Sequence, residues 1–326
     1  VDHAVLVTEG FPYLGQANIT SYPIPGQQPA APTDWFVFRN ALYFQIATGA
    51  SSVTGRQLWR YSTAGGVELV DPNPAGTDTF SKYFLVQGDR FFYCGATPAE
   101  GYGFYVSDGT PAGTQRFEIY PGVPAPYSAV PFGVVGQRFI FGGELNPGDG
   151  DVELIALDMT TGQRSLVKNI NPTPPPATAT SNPSSNPSVV ATLFGRVFFT
   201  ASSPTSGNEL WSTDGTEAGT SLVIDANPGP GSSFPRNFQV VRSIPRTQLF
   251  FSAQAAGGGS PSDEELYVVT FCNADFNQNG AIELTDIFAF LNAWFTGDPS
   301  ADFNQQNGVE LGDIFAFLNA WFAGPC

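Results

Sequence analysis

Basic side chains are scarce in this chain, with 13 Lys and Arg against 29 Asp and Glu, a formal charge of −16. Nucleic acid and anionic membrane surfaces both need clustered cations, so this balance disfavours them as partners, and no nucleic acid is expected. The single histidine, His3, rules out most His-dependent catalysis, and no GxSxG, HExxH or P-loop pattern occurs. No run of about 18 apolar residues is present, so no membrane span is expected. Cysteine is rare too. Cys272 and Cys326 bracket the last segment and are expected to pair, whereas Cys94 lies in the run Phe91-Phe92-Tyr93-Cys94 and is expected to be a buried thiol. The chain begins at Val1 without a charged-then-apolar leader, which suits a mature secreted protein found outside the cell or at its surface.

What is abundant is 29 Phe, 36 Gly and 28 Pro, a composition of short strands joined by tight turns. Aromatic strand starts recur at Leu42-Tyr43-Phe44, Phe91-Phe92-Tyr93, Phe139-Ile140-Phe141, Val197-Phe198-Phe199 and Leu249-Phe250-Phe251. Their spacing of roughly 50 residues lies in the range of four-stranded propeller blades. Each is followed by a second strand, at Gln57-Leu58-Trp59, Gly103-Phe104-Tyr105, Val152-Glu153-Leu154, Asn208-Glu209-Leu210-Trp211 and Glu264-Glu265-Leu266-Tyr267. A polar turn comes next: Asp108-Gly109-Thr110 and Asp214-Gly215-Thr216 carry the chemistry of a hairpin turn. The segments ELWSTDGTEAGTSLVIDANPG (209–229) and YVSDGTPAGTQRFEI (105–119) resemble the bacterial ELWxTDGTxxGT repeats, which implies a β-propeller of a secreted protein.

The expected fold is therefore mainly β: a five-bladed β-propeller over residues 1–271, with six blades the alternative count, followed by a small α-helical domain over 272–326. The fifth copy stops after two strands at Thr270-Phe271, so Ala17 to Tyr22 and Asp34 to Phe38 are expected to supply its third and fourth strands and close the ring. Ala4 to Thr8 is then a spare strand, for its own ring or for a neighbouring molecule's sheet edge. The stretch 172–187 reads as an extended loop with Thr173, Thr178 and Thr180 as candidate O-glycosylation sites, and Asn18 heads an N-glycosylation sequon.

From Cys272 the texture changes. Two copies stand 27 residues apart and share the string DIFAFLNAWF, at Asp286 to Phe295 and at Asp313 to Phe322. An EF-hand-type loop takes oxygen ligands at positions 1, 3, 5, 7, 9 and 12, with Gly at 6 for the sharp turn. Loop one supplies Asp275, Asn277, Asn279, the Ala281 carbonyl, Glu283 and Asp286, with Gly280 at 6. Loop two supplies Asp302, Asn304, Gln306, Gly308, Glu310 and Asp313, but carries Asn307 at position 6, so its site is expected to be weaker. The alternative is a pair of Asx-rich turns that hold no metal. An all-oxygen set without a Cys/His cluster suits Ca2+ at two sites rather than zinc.

Asp at position 12 and the apolar Ile282 and Val309 at position 8 make this segment similar to a dockerin type I module. That resemblance implies docking to a cohesin-like domain through the helices, with Ile287, Phe288, Leu291, Trp294, Ile314, Phe315, Leu318 and Trp321 as the partner surface. Packing of those helices on their own propeller is the alternative. The functional expectation is a non-enzymatic extracellular structural or adhesive protein that self-assembles, as a homo-oligomer or polymer, through this module or the N-terminal strand. The alternatives are a glycan-binding propeller tethered to a cell-surface or cellulosome-like scaffold by its dockerin-like tail, and a propeller glycoside hydrolase, which needs only two carboxylates at a suitable separation.

Overall fold

A computed structural model describes residues 4–8, 19–23, 33–47, 56–70, 82–87, 89–97, 101–119, 130–172, 184–243, 246–254, 264–306 and 308–324. The chain forms two compact units, Val1–Ala129 and Val130–Cys326. Asn18, Thr173, Thr178, Thr180, Asn307 and Cys326 lie outside the described residues.

In the first unit, β1 (Ala4–Thr8) and β2 (Ile19–Pro23) form a two-stranded sheet. Two four-stranded sheets follow. One comprises β3 (Thr33–Phe38), β4 (Ala41–Ala47), β5 (Arg56–Ser62) and β6 (Gly66–Leu69); the other comprises β7 (Lys82–Gln87), β8 (Arg90–Thr97), β9 (Gly101–Ser107) and β10 (Thr114–Glu118). The second unit adds β11 (Val130–Val135), β12 (Arg138–Glu144), β13 (Val152–Asp158) and β14 (Arg164–Lys168), then β15 (Ser188–Leu193), β16 (Arg196–Ser203), β17 (Gly207–Thr213) and β18 (Ser221–Ile224). A three-stranded sheet of β19 (Arg236–Arg242), β20 (Arg246–Gln254) and β21 (Glu264–Cys272) leads into α1 (Leu284–Thr296) and α2 (Leu311–Ala323). Every described strand pair is antiparallel and joins neighbours in sequence. The fold is thus mainly β, a series of antiparallel meanders ending in two helices. Among the described residues no helix is long and apolar enough to cross a membrane.

The aromatic runs are second strands, not first. Each sheet opens one strand earlier, and in three of them a two-residue turn explains why. Arg39-Asn40, Gly136-Gln137 and Phe194-Gly195 connect first to second strand, with φ of 45° and 58° at the first pair, 57° at Gly136, and 53° and 64° at the third. Left-handed central residues match the twist of tight hairpins. The expected ring closure is corrected accordingly. Thr33–Phe38 pairs with Ala41–Ala47 in its own sheet, and Ile19–Pro23 pairs with Ala4–Thr8, which is therefore not spare.

Burial follows the aromatic strands. In the first unit Phe38, Tyr43 and Leu58 of one sheet pack on Phe91, Tyr93 and Tyr105 of the next. In the second unit, Phe132, Ile140 and Leu154 meet Val197, Phe199 and Trp211, and Phe198 and Leu210 meet Leu249 and Phe251. Within each unit these neighbouring sheets thus bury apolar faces against each other. The Asp-Gly-Thr turns form as expected: Thr216 N–H and Oγ1 both donate to Asp214 Oδ1, at 2.9 and 2.7 Å, and Thr110 repeats this on Asp108. The turn carbonyls then serve as acceptors for the preceding sheet, with Arg60 donating to Gly109 O at 3.0 Å and Arg138 to Gly215 O. Cys94 is a buried thiol, and burial pushes its pKa far up. Cys272 is in a disulfide.

Two buried carboxylates tie one sheet's exit to the next sheet's entry. Glu153 of β13 accepts from the Ile170, Asn171 and Ser185 N–H groups and the Ser185 hydroxyl, at 2.6–3.3 Å. Glu209 of β17 accepts from Ala226 N–H, Ser233 N–H and Ser233 Oγ, at 2.6–3.1 Å. Removing such an acceptor leaves buried donors unsatisfied at about 1–3 kcal/mol each. Glu209→Ala should therefore lower stability by about 2–4 kcal/mol in urea unfolding, whereas Ala at the exposed Glu265 should change it by less than about 0.5 kcal/mol. Burial raises the pKa of both Glu153 and Glu209, and their hydrogen bonds offset this only in part. The folded state then binds these protons more tightly than the unfolded one. Their contribution is present below the ordinary carboxylate pKa and is lost as pH rises through the raised one. Glu153→Gln/Glu209→Gln should flatten that slope in unfolding curves taken from pH 4 to pH 7.

Candidate metal centre

The two loops before α1 and α2 fold as near copies. In loop one, Asp275 Oδ1 accepts Asn279 N–H at 3.0 Å and Oδ2 accepts Gly280 N–H at 2.8 Å, while Asn277 Oδ1 accepts Asn279 N–H and Asn279 Oδ1 accepts Ala281 N–H, both at 3.0 Å. Loop two repeats the frame: Gln306 N–H donates to Asp302 Oδ1 at 3.1 Å and to Asn304 Oδ1 at 2.8 Å. Left-handed φ values recur at position 4, with 56° at Gln278 and 58° at Gln305. Gly280 takes 92° at position 6, a conformation that favours glycine. Gly308, at position 7 of loop two, takes 77°.

Positions 9 and 12 also start the helices. Glu283 and Glu310 are N-caps with extended backbone, and their N–H groups donate to Asp286 and Asp313 Oδ2, each at 2.8 Å. The other oxygen of each Asp accepts the position-3 N–H, from Asn277 at 3.1 Å and from Asn304 at 2.9 Å. Asp286 and Asp313 are fully buried, and with one N–H on each oxygen these carboxylates are below their full acceptor capacity. The Thr285 hydroxyl and the Asn279 amide hold the Glu283 carboxyl below its ordinary range.

Burial, and then the charge of Asp286, raises the Asp275 pKa; burial and the charge of Asp313 do the same for Asp302. Two carboxylates drawn together under burial fit a cation between them. Among the described residues no group of three or more His, Cys, Asp or Glu side chains converges on one point. The donor set in each loop is mixed instead, two Asp and one Glu with amide and carbonyl oxygens, the hard ligands that suit calcium.

The helices pack about an internal near-two-fold relation. Phe290 and Phe317 stack with centroids 4.2 Å apart and planes 6° from parallel. Phe276 and Phe303, at position 2 of the loops, meet them edge-on at 5.4 and 5.5 Å. Ile282 and Val309 join this cluster. Of the expected partner residues, Ile287, Leu291, Trp294, Ile314, Leu318 and Trp321 are half-buried against the module's own core, and only Phe288 (63%) and Phe315 (61%) are exposed. The exposed apolar row on α1 continues through Leu284 and Phe295 (77%), and on α2 through Leu311 and Phe322 (75%). Phe295 and Phe322 were legible as part of the apolar excess of these helices, whereas Leu284 and Leu311 were missed, although a spacing of four residues places them on the Phe288 and Phe315 faces. The module meets the last sheet where Asn273 Nδ2 donates to Ser243 O at 2.8 Å.

No family model matches the chain, and no curated protein matches it. Among solved structures it is similar to an acylaminoacyl peptidase of Pyrococcus horikoshii, at 12% identity and a TM-score of 0.40, over 73% of this chain and 34% of that one. It therefore spans about a third of that peptidase's length. It is also similar to the β-propeller domain of the Trilobed protease from Pyrococcus furiosus (11% identity, TM-score 0.41, 78% of this chain and 72% of that one). A third is a thermostable family-43 glycoside hydrolase (11% identity, TM-score 0.31, 76% and 92%). At such scores none of them assigns a reaction to this chain. None of the three is a structural or adhesive protein, and on that finding the expected structural or adhesive, self-assembling role is corrected and withdrawn.

The Phe290–Phe317 stack holds the two loops in register. Phe290→Ala should cost about 3–5 kcal/mol. Limited proteolysis of the full chain should then release the tail while the β body stays protected.

Proposed function

We propose that this is an extracellular, tethered glycan-binding protein: a five-bladed propeller body followed by a dockerin-like module that two calcium ions organise for docking to a cohesin-like domain. The observation that carries the tether is the matched pair of loops and helices, which presents two equivalent exposed apolar rows, Leu284-Phe288-Phe295 and Leu311-Phe315-Phe322. Rows of this size outside a core mark a protein-binding surface. Calcium would be held by Asp275, Asn277, Asn279, Ala281 O, Glu283 and Asp286 in loop one, and by Asp302, Asn304, Gln306, Gly308 O, Glu310 and Asp313 in loop two. There it supplies charge neutralisation and fixes the helix starts.

The consecutive four-stranded meanders, which within each unit pack face against face, support the propeller. Glycan recognition draws support from Trp35 and Phe234, both half-exposed on the β body. Flat apolar ring faces of this kind suit stacking on sugar rings. Glu153 and Glu209 are spent on backbone donors, so neither is a candidate for hydrolysis.

Calorimetric titration of the chelator-stripped full chain should find two calcium ions, with loop one the tighter site and Asp275→Ala removing it. Absence of calcium uptake would sink the tether. A glycan array read with the full chain should give hits that survive loss of calcium, and an array without hits excludes the glycan role. Release of reducing sugar from a bound glycan would move the reading from binding to hydrolysis.

A further inference from the structure

The indole groups of the two helices cross over. Trp294 of α1 donates its Nε1–H to Glu310 O at 2.8 Å, and Trp321 of α2 donates to Glu283 O at 3.1 Å. Neither carbonyl lacks another donor, because Glu283 O already accepts Asp286 N–H at 3.0 Å and Glu310 O accepts Asp313 N–H at 3.1 Å. The indole bonds are therefore not there to satisfy an orphan acceptor. Phenylalanine would fill the same half-buried space without reaching across, so the N–H is what distinguishes these positions.

We infer that Trp294 and Trp321 are cross-loop latches, positioning residues that make the two loops take up calcium as one coupled unit; this rests on the calcium reading above. The path can be followed bond by bond. Trp294 pins the Glu310 backbone, whose N–H holds Asp313 Oδ2, while Asp313 Oδ1 holds Asn304 N–H. One indole thus reaches positions 9, 12 and 3 of the loop that its own helix does not follow. Trp321 does the same to Glu283, Asp286 and Asn277. Between the crossings lies the Phe290–Phe317 stack, so a shift of one helix is passed to the other through contact rather than through solvent. When loop one closes on an ion it fixes the start of α1, and with it the indole that braces loop two. Loop two, with Gln306 and Asn307 in place of Asn279 and Gly280, has the poorer frame of its own and gains most from this brace.

The test isolates each site in the full chain. Asp275→Ala leaves only loop two to bind, and Asp302→Ala leaves only loop one. Calcium competition against a chromophoric chelator should show Trp294→Phe weakening loop two about threefold to tenfold, the effect of one hydrogen bond, with Trp321→Phe within about twofold of its parent. In the loop-one chain the two substitutions should exchange effects. With both loops intact, either substitution should lower a Hill coefficient above one towards one. Should Trp294→Phe disturb the fold by circular dichroism, the indole Nε1–H resonances of the Asp275→Ala chain give the same answer: Trp294 should shift with calcium and Trp321 should not. Equal effects of both substitutions on both loops, effects confined to a tryptophan's own loop, or no effect overturn the latch while leaving the calcium reading intact. A wild-type chain that takes no calcium overturns both.

Discussion

A carboxylate taken out of water has to be met by donors, and this chain has few cations to offer, 13 against 29 acidic side chains. Glu153, Glu209, Asp275, Asp286 and Asp313 are all buried. Each is met mainly by backbone N–H groups instead of Lys or Arg. That choice constrains the chain more than an ion pair does, because backbone donors cannot be swung into place by a long flexible side chain. Wherever one of these acids is buried, the local backbone has to curl around it. In the β body the result is a fixed path from one sheet to the next, and in the helical module it is a fixed helix start.

The same rule leads to different chemistry in the two places. Glu153 receives four donors and Glu209 three, which nearly exhausts a carboxylate's capacity and leaves them as structural pins. Asp286 and Asp313 receive backbone N–H groups from positions 3 and 9 on their two oxygens, and each lies near a second Asp whose pKa it pushes up. A loop that gathers like charge under partial burial is poised for a cation, whereas a pin surrounded by N–H groups is not. The crossing indoles add a further constraint, since neither loop is braced by its own helix alone.

Much of this was legible in one dimension. Aromatic runs such as Phe139-Ile140-Phe141 are strands because nothing else buries so much ring surface in so few residues, and the Asp-Gly-Thr triplets form the turns their side chains dictate. The opening strand of each sheet was harder to see. β19 is mostly exposed along its length and carries no aromatic pair, so its pattern resembles a loop. The signal lay in the tight turns that follow such strands, as at Gly136-Gln137 and Phe194-Gly195. The loop carboxylates are visible from spacing, because a ring of ligands around one point is a local arrangement. The exposed helix face was legible only in part: Phe288 and Phe315 were expected there together with six residues that are half-buried, because the Phe290–Phe317 stack decides which side turns inward, and that contact joins residues 27 apart in sequence. The serines that complete the Glu153 and Glu209 clamps, at separations of 32 and 24 residues, were invisible for the same reason.

Amide hydrogen exchange tests the shared constraint most directly. The N–H groups of Ile170, Ser185 and Ala226 lie outside the strand ladders, and those of Asn277, Glu283, Asn304 and Glu310 outside the helices, and each is given to a carboxylate. If buried acids organise this backbone, all seven should exchange as slowly as neighbouring ladder amides at neutral pH, and Glu209→Ala should release Ala226 selectively. Exchange of these amides at the rate of open loops, with the ladders still protected, would contradict the account.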